Sequence, residues 1–226
     1  MATVAITGAA RGIGLEIAAQ HVAAGDHVLA LPRKASPALE ALAASSGGLL
    51  TIHECDVADD ASVRAAAAAS GDGAIDIVYN VAGVTGPIAN ELEGADWAAW
   101  NEAFSIMVQG PLRVLQAFLP RLGEGSKVIN VTSQLGASTW PMGGMYAYAS
   151  AKAALNRLMR SVAIDLKAKG VIIGLVHPGW VQTDMGGPHA EITPSESAAG
   201  IRKVAADWTL ETSGDFLKWN GENHAW

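Results

Sequence analysis

Tyr148 stands four residues before Lys152 in the segment YAYASAK (residues 146–152), with a second tyrosine, Tyr146, two positions earlier. Residues four apart on a helix share one face, one turn above the other. Tyr148 and Lys152 can therefore meet. Tyr146 would sit roughly 200° around from Tyr148 at 3.6 residues per turn. A free phenol titrates near pH 10, too high for efficient proton exchange at neutral pH. A neighbouring ammonium favours the phenolate and lowers that value. Only one of the two phenols can share a face with that ammonium. The spacing alone is common, so its weight depends on what the rest of the chain builds around it.

A second constellation is TGAARGIG at 7–14, with Gly8, Gly12 and Gly14 following one apolar run and opening another. Glycine lets the backbone turn sharply and approach a pyrophosphate, while the next helix offers free N–H groups and the positive end of its dipole. An ordinary tight turn is the bland alternative. Its place after a strand and before a helix favours dinucleotide binding. The second strand ends in Leu31 and Pro32, where an acid would hold a ribose 2′-hydroxyl, and continues into Arg33 and Lys34. Arg11 lies inside the glycine loop. Cations here suit a 2′-phosphate, so NADP is favoured over NAD; a solvated surface pair is the alternative.

These residues need elements to hold them. Strand patterns occur at 3–7, 27–31, 49–54, 75–79, 127–132, 171–176 and 215–219, alternating with Ala-rich helical stretches, notably 97–121 and 149–168. Leu155, Leu158, Val162 and Leu166 form a helix stripe. Continuous apolar strands separated by helices imply an α/β fold, a doubly wound parallel sheet of about seven strands covered on both faces. No repeat or Pro/Ser-rich boundary divides the 226 residues, so one domain over 1–226 is expected. The long irregular stretch 177–192 reads as a functional loop, placing a substrate loop at about 179–195. It should end in a capping box, with Thr193 as N-cap, Pro194 at the first helical position and Glu196 closing it.

Composition narrows the function further. A net charge of −7, from 15 Lys plus Arg against 22 Asp plus Glu, leaves no basic face for nucleic acid. No apolar stretch reaches the 18 or so residues that span a bilayer, and no signal peptide is visible. One cysteine, Cys55, excludes an intramolecular disulfide and fits a reducing, cytoplasmic setting. It reads as a small buried residue at a strand end rather than a reactive thiol. The six histidines form no HExxH or HxH pattern, so no metal is expected.

Taken in order, the glycine loop, NVAG at 80–83, NVTSQLGAS at 130–138, Tyr148 with Lys152, and HPGWVQT at 177–183 resemble the short-chain dehydrogenases/reductases across essentially the whole chain. HPGWVQTDMGG, TPSESAAGI and the closing FLKWNGENHAW resemble, more narrowly, the C-factor-like and sniffer-type carbonyl reductases. The resemblance implies NADPH-dependent reduction of an aldehyde or ketone, reversible with the alcohol. Tyr148 would be the general acid/base, Lys152 would lower its pKa together with an oxidised nicotinamide and hold the nicotinamide ribose, and Ser133 would hydrogen-bond the substrate oxygen. Gly8, Arg11, Gly12, Ile13 and Gly14 would cradle the cofactor phosphates, with Arg33 beside them. Asp56 and Val57 would contact the adenine, although DVADD also reads as a helix cap, and Asn80, Ala82 and Gly83 would line the adenosine side. Pro178, Gly179, Val181 and Thr183 would fold over the nicotinamide.

Trp140, Met142, Met145, Trp180 and Met185 would give the pocket apolar walls, or simply pack. An extended loop is expected at 139–145, because Ser133 precedes Tyr148 by more than the usual family spacing. The resemblance also implies a homodimer paired through the helices at 97–121 and 149–168. One position departs from the family: SIMVQGPL carries Met107 where relatives have an asparagine that steadies a helix irregularity. A non-catalytic dinucleotide-binding protein, used in signalling or redox sensing, is the alternative reading, since fold does not fix function.

Overall fold

The computed structural model describes residues 1–87 and 92–226. Seven strands, β1 (Thr3–Thr7), β2 (His27–Leu31), β3 (Leu50–Ile52), β4 (Ile77–Asn80), β5 (Lys127–Val131), β6 (Ile172–His177) and β7 (Phe216–Lys218), form one sheet. All pairings are parallel, in the order β3-β2-β1-β4-β5-β6-β7. Seven α-helices cover it among the described residues: α1 (Gly12–Ala23), α2 (Pro37–Ser45), α3 (Asp60–Ala69), α4 (Trp97–Phe104), α5 (Gly110–Phe118), α6 (Tyr146–Leu166) and α7 (Pro194–Asp207). This is the doubly wound arrangement that the alternation of strand and helix patterns implies.

Apolar residues on both sides of each central strand are explained by two cores, one on each face of the sheet. Val4 and Ile6 join Val28, Ala30, Tyr79 and Ile129 in one, while Ala5 joins Leu31, Val78 and Val128 in the other. The register brings Thr7 level with Leu31 on one side and Asn80 on the other. Strand order reverses at β1, whose neighbours β2 and β4 lead the chain away in opposite directions. The crevice at such a reversal, outside the carboxyl ends of the strands, is where α/β sheets bind ligands.

The helical stretch 97–121 is not one regular helix. Between α4 and α5 lies a π-helical turn, Ser105–Gln109, and a 3₁₀ turn ends the stretch at Leu119–Arg121. Pro111 supplies the physical cause, since it has no N–H to offer the carbonyl of Met107 four residues earlier. The ladder slips instead, and the Gly110 N–H donates to the Ser105 carbonyl.

α6 begins at Tyr146, three residues earlier than its sequence pattern suggests. Met145 precedes it with φ of 51°, the one non-glycine residue at positive φ among those described. The stretch before it, 139–145, is irregular, as expected. The capping box at the head of α7 forms as expected: Thr193 Oγ1 accepts from the Glu196 N–H at 3.2 Å, and Glu196 Oε2 accepts from the Thr193 N–H at 2.8 Å. Among the described residues no helix is long and apolar enough to cross a membrane.

Two buried histidines tie strands to loops. His21 Nδ1 meets Asp26 at 2.8 Å and its Nε2 meets the Tyr79 hydroxyl at 3.2 Å. His177, at the end of β6, accepts the Gln134 N–H on Nδ1 at 3.3 Å. Burial, helped by the charges of His224 and Lys218, lowers the His177 pKa from 6.5 to about 4. His21 is also lowered, chiefly by burial, against the opposing pull of Asp26. The folded protein therefore holds these rings neutral where the unfolded chain binds protons. Their contribution is present above pH 6.5 and is lost as pH falls toward about 4. We expect the melting temperature to drop by roughly 5–10 °C across that window. His177→Gln, which keeps an acceptor but cannot titrate, should flatten the curve in thermal melts followed by circular dichroism.

Candidate active site

α6 carries Tyr148 and Lys152 on one face, with the Lys152 Nζ 5.7 Å from the centre of the Tyr148 ring. The ammonium donates to the Val131 carbonyl, at the end of β5, at 2.8 Å. Two residues further along the chain, Ser133 is hydrogen-bonded to Tyr148. Ser133 Oγ also accepts the Leu135 N–H at 3.2 Å, so the serine caps the short 3₁₀ turn Gln134–Gly136. The structure thus brings Ser133, Tyr148 and Lys152 together.

Their electrostatics are set by depth. Lys152 is 4% exposed, and burial lowers its pKa from 10.5 to about 8. Burial pushes the Tyr148 phenol up, while its hydrogen bond with Ser133 pulls the other way. Sequence spacing led us to expect Lys152 and a bound oxidised nicotinamide to lower the phenol's pKa. In the structure without a nucleotide, loss of hydration is the larger of the two effects on the phenol.

Residues that the motif reading missed hold this group in place. Thr132 Oγ1 donates to Asn156 Oδ1 at 2.6 Å, one helical turn beyond Lys152. A Cβ on Gly136 would stand 2.8 Å from the Lys152 carbonyl carbon, so the serine turn packs directly on α6. His177 anchors the far side of that turn. Asn156 had a sequence signal, a polar residue beside the apolar stripe of α6; His177 had none beyond its place before Pro178.

A cleft of about 660 Å³ opens at the strand reversal. The glycine loop, from Gly8 through Arg11, Gly12 and Ile13 to Gly14, lines one wall. Gly8 has φ of 67°, and a Cβ there would stand 2.9 Å from Ala82, so only glycine fits. The first turn of α1 has neither an acidic residue nor a side-chain cap, which leaves its N–H groups for an anion. Arg33 and Lys34 are exposed at the rim and form no ion pair among the described residues. Asp56, Val57, Ala82, Gly83 and Thr183 complete the walls. The donors, rim cations and glycine cradle fit a phosphorylated dinucleotide. Gly83 joins the cleft to the tyrosine site: a Cβ on it would stand 3.9 Å from Lys152 Nζ and 3.7 Å from Met107 Sδ.

Four expected residues, Asn80, Pro178, Gly179 and Val181, do not line the cleft. Asn80 is buried, and its Nδ2 donates to Asn130 Oδ1 at 2.9 Å across the β4–β5 ladder. Pro178, Gly179 and Val181 form the base of their loop instead of a cleft wall. Gly179 packs against Ile192 and Trp219, Val181 pairs with Ile192, and the Pro178 carbonyl accepts from Ser197 at 2.7 Å. Arg11 reaches across the mouth to Asp184 at 2.6 Å, an exposed ion pair. Asp56 Oδ1 accepts the Ala58 N–H at 2.9 Å and shapes its own turn, whereas Asp59 caps α3. Cys55 is buried, with its thiol pushed up to about 11 by burial and by Asp56, and is inert at neutral pH. Among the described residues no group of three or more His, Cys, Asp or Glu could hold a metal ion.

The family model described as short chain dehydrogenase matches residues 2–192. A 1-hydroxy-2-glutathionyl-2-methyl-3-butene dehydrogenase of Rhodococcus sp. strain AD45 is 35% identical over 233 aligned positions, covering 100% of both chains. The C-signal protein of Myxococcus xanthus is 41% identical over 157, covering 68% of this chain and 94% of that one. The crystal structure of an NADPH-bound carbonyl reductase from chicken fatty liver superposes with a TM-score of 0.89 at 32% identity, covering 100% of this chain and 99% of that one.

The buried ammonium should oppose folding at neutral pH. A shift from 10.5 to about 8 corresponds to a penalty on the order of 3 kcal/mol. The folded pKa is the lower one, so the penalty is complete below about pH 8 and fades as pH rises toward 10.5. The hydrogen bond to Val131 returns about 1–1.5 kcal/mol. Lys152→Met is therefore expected to be the more stable protein at pH 7, by about 1–2 kcal/mol after both terms. Urea midpoints measured at pH 7 and pH 9.5 should show that advantage shrinking at the higher pH.

Proposed function

Because this chain belongs to the short-chain dehydrogenase/reductase family of oxidoreductases, we propose that it reduces an aldehyde or ketone with NADPH, reversibly with the alcohol. The observation that carries the reading is the meeting of Ser133, Tyr148 and Lys152 beside Gly83, at one end of a cleft whose rim carries Arg33 and Lys34. When bound, the reduced nicotinamide supplies a hydride to the carbonyl carbon. The residues manage the proton and the developing charge. The Ser133 hydroxyl donates to the substrate oxygen and stabilises the negative charge that grows there. Tyr148 then gives its proton to that oxygen and becomes a phenolate. Burial, which raises the phenol's pKa, keeps Tyr148 protonated and ready as an acid. Lys152, on the same helical face, stabilises the phenolate and makes the proton transfer affordable at neutral pH.

The glycine loop and the first turn of α1 hold the pyrophosphate, and Arg33 with Lys34 and Arg11 favour a 2′-phosphate over a bare hydroxyl. Met185, at the cleft, and Met142 and Trp180, on the irregular segments after β5 and β6, present exposed apolar surface. They suit a carbonyl carried on an apolar body. The alternative of a non-catalytic dinucleotide-binding protein used in signalling has one observation in its favour, the likeness to a protein called C-signal. Steady NADPH oxidation driven by any carbonyl compound would decide against it.

Tyr148→Phe is expected to lower carbonyl-dependent NADPH oxidation by roughly 10²–10⁴ while leaving NADPH binding nearly intact. Tyr146→Phe should cost far less, and the reverse ranking would defeat the helix-face argument. Arg33→Asp is expected to weaken NADPH binding by some tenfold to a hundredfold, for the loss of a charge-assisted bond of about 1.5–3 kcal/mol. It should also improve relative use of NADH. Fluorescence titrations with both nucleotides measure this, and an unchanged preference in both Arg33→Asp and Arg11→Ala would remove the NADP assignment.

A further inference from the structure

Arg113, in the first turn of α5, uses its guanidinium in three directions. Nη1 donates to the Val57 carbonyl and to the Ser105 carbonyl, both at 3.1 Å, and Nη2 donates to Gln109 Oε1 at 2.7 Å. Ser105 and Gln109 are the first and last residues of the π turn. Val57 belongs to the cleft wall. One planar, always-charged fork therefore grips both ends of the turn and ties it to the cleft. We propose that Arg113 is a positioning residue: it fixes the register of the π turn and, through it, where Met107 stands beside Gly83, at the point the Lys152 ammonium also approaches. The consequence for catalysis rests on the reductase reading above; the structural claim does not.

The turn needs such a clamp. π turns are rare, and residues within them have α-helical alternatives. Here Pro111 removes the N–H that would serve the Met107 carbonyl, so the ladder does not hold the turn by itself. A slip of one residue would rotate the turn by roughly 100°. That rotation would carry Met107 away from its place, 1% exposed, with Sδ beside Gly83 and the Lys152 ammonium. The Met107 thioether has no donor and cannot tie the turn from within. The turn also lies close against the cleft wall, since a Cβ on Gly110 would stand 3.0 Å from the Val57 Cγ2. A guanidinium bonded to Val57 and Ser105 at once locks that contact. The bond from Arg113 to Gln109 alone would be an ordinary helix-surface pair. The bond to Val57, 56 residues away in sequence, gives it a long-range role.

Arg113→Met keeps the aliphatic stem and removes every donor; Arg113→Lys restores one. Arg64→Met, on the exposed face of α3 where Arg64 pairs with Asp60, controls for loss of charge. Two readouts need no turnover. Amide exchange is followed across 104–110, and the Lys152 titration is followed by NMR of protein carrying ¹³C-labelled lysine. Tyr148, on the same helix, is the titratable neighbour; Val131, which accepts from the ammonium, and Gly83 and Met107, which meet near it, do not titrate in this range. We expect Arg113→Met to speed exchange in 104–110 at least tenfold and to raise the Lys152 midpoint from about 8 by half a unit or more, as water enters. Arg113→Lys should recover part of both, and Arg64→Met should change neither. Unchanged exchange in 104–110, or a Lys152 midpoint that stays put while only the melting temperature falls, overturns the proposal. Absence of carbonyl-dependent NADPH oxidation in the native protein would defeat the reductase reading and leave these two measurements to judge Arg113.

Discussion

Lys152 and the Val131 carbonyl, 2.8 Å apart, join the longest of the described helices to the interior of the sheet. The bond sits where β5 ends, one residue before Thr132 and two before Ser133. It fixes the distance between the strand that supplies the serine and the helix that supplies the tyrosine. Thr132 with Asn156 repeats the tie one turn further along. Gly136 allows the intervening turn to lie flat on the helix. The arrangement is costly, because an ammonium is removed from water with a carbonyl dipole in place of a counter-charge. The two apolar cores, one on each face of the sheet, carry that cost and hold the helix down while the charge resists burial.

The other end of the cleft is organised by different physics. Donors and cations gather where α1 begins and where β2 ends, both consequences of the strand order reversing at β1. Charge is wet and exposed there and is sensitive to salt. Around Lys152 it is dry and insensitive to salt. One crevice therefore joins a region that attracts anions at long range to a region that adjusts proton affinity at short range. Gly83 lies between them, lining the cleft on one side and approaching Lys152 on the other.

Much of this was legible because the signals were local. Strand periodicity, the glycine loop, the Thr193 capping box and the Tyr148–Lys152 spacing each depend on a few neighbouring residues, and each took the expected form. What escaped depended on contacts between distant segments. Asn80 sits in a motif whose neighbours line the cleft, yet its side chain turns to Asn130, a partner that only strand pairing reveals. Gly179 and Val181 likewise meet Ile192 at the base of their loop, a contact that the motif does not announce. The depth of Tyr148, which raises its pKa in the protein alone, was also not legible, because spacing gives proximity to a charge but not burial. The π turn was half legible: Pro111 announces a break in the ladder, but not whether the helix bends, stops or slips.

Three exposed apolar side chains stand outside both cores. Met142, Trp180 and Met185 are carried on irregular segments after β5 and β6 and bear little of the packing. Surface substitutions of this kind usually change stability by no more than about 0.5 kcal/mol. The scaffold below has no such freedom: a Cβ on Gly174 would meet the Trp208 ring at 2.7 Å, and one on Gly200 would meet the Trp219 carbonyl at 2.4 Å. Descendants of this sequence can thus drift in what they admit while the machinery underneath stays frozen. Divergence among its kin should collect at the mouth, as new appetites on an old skeleton.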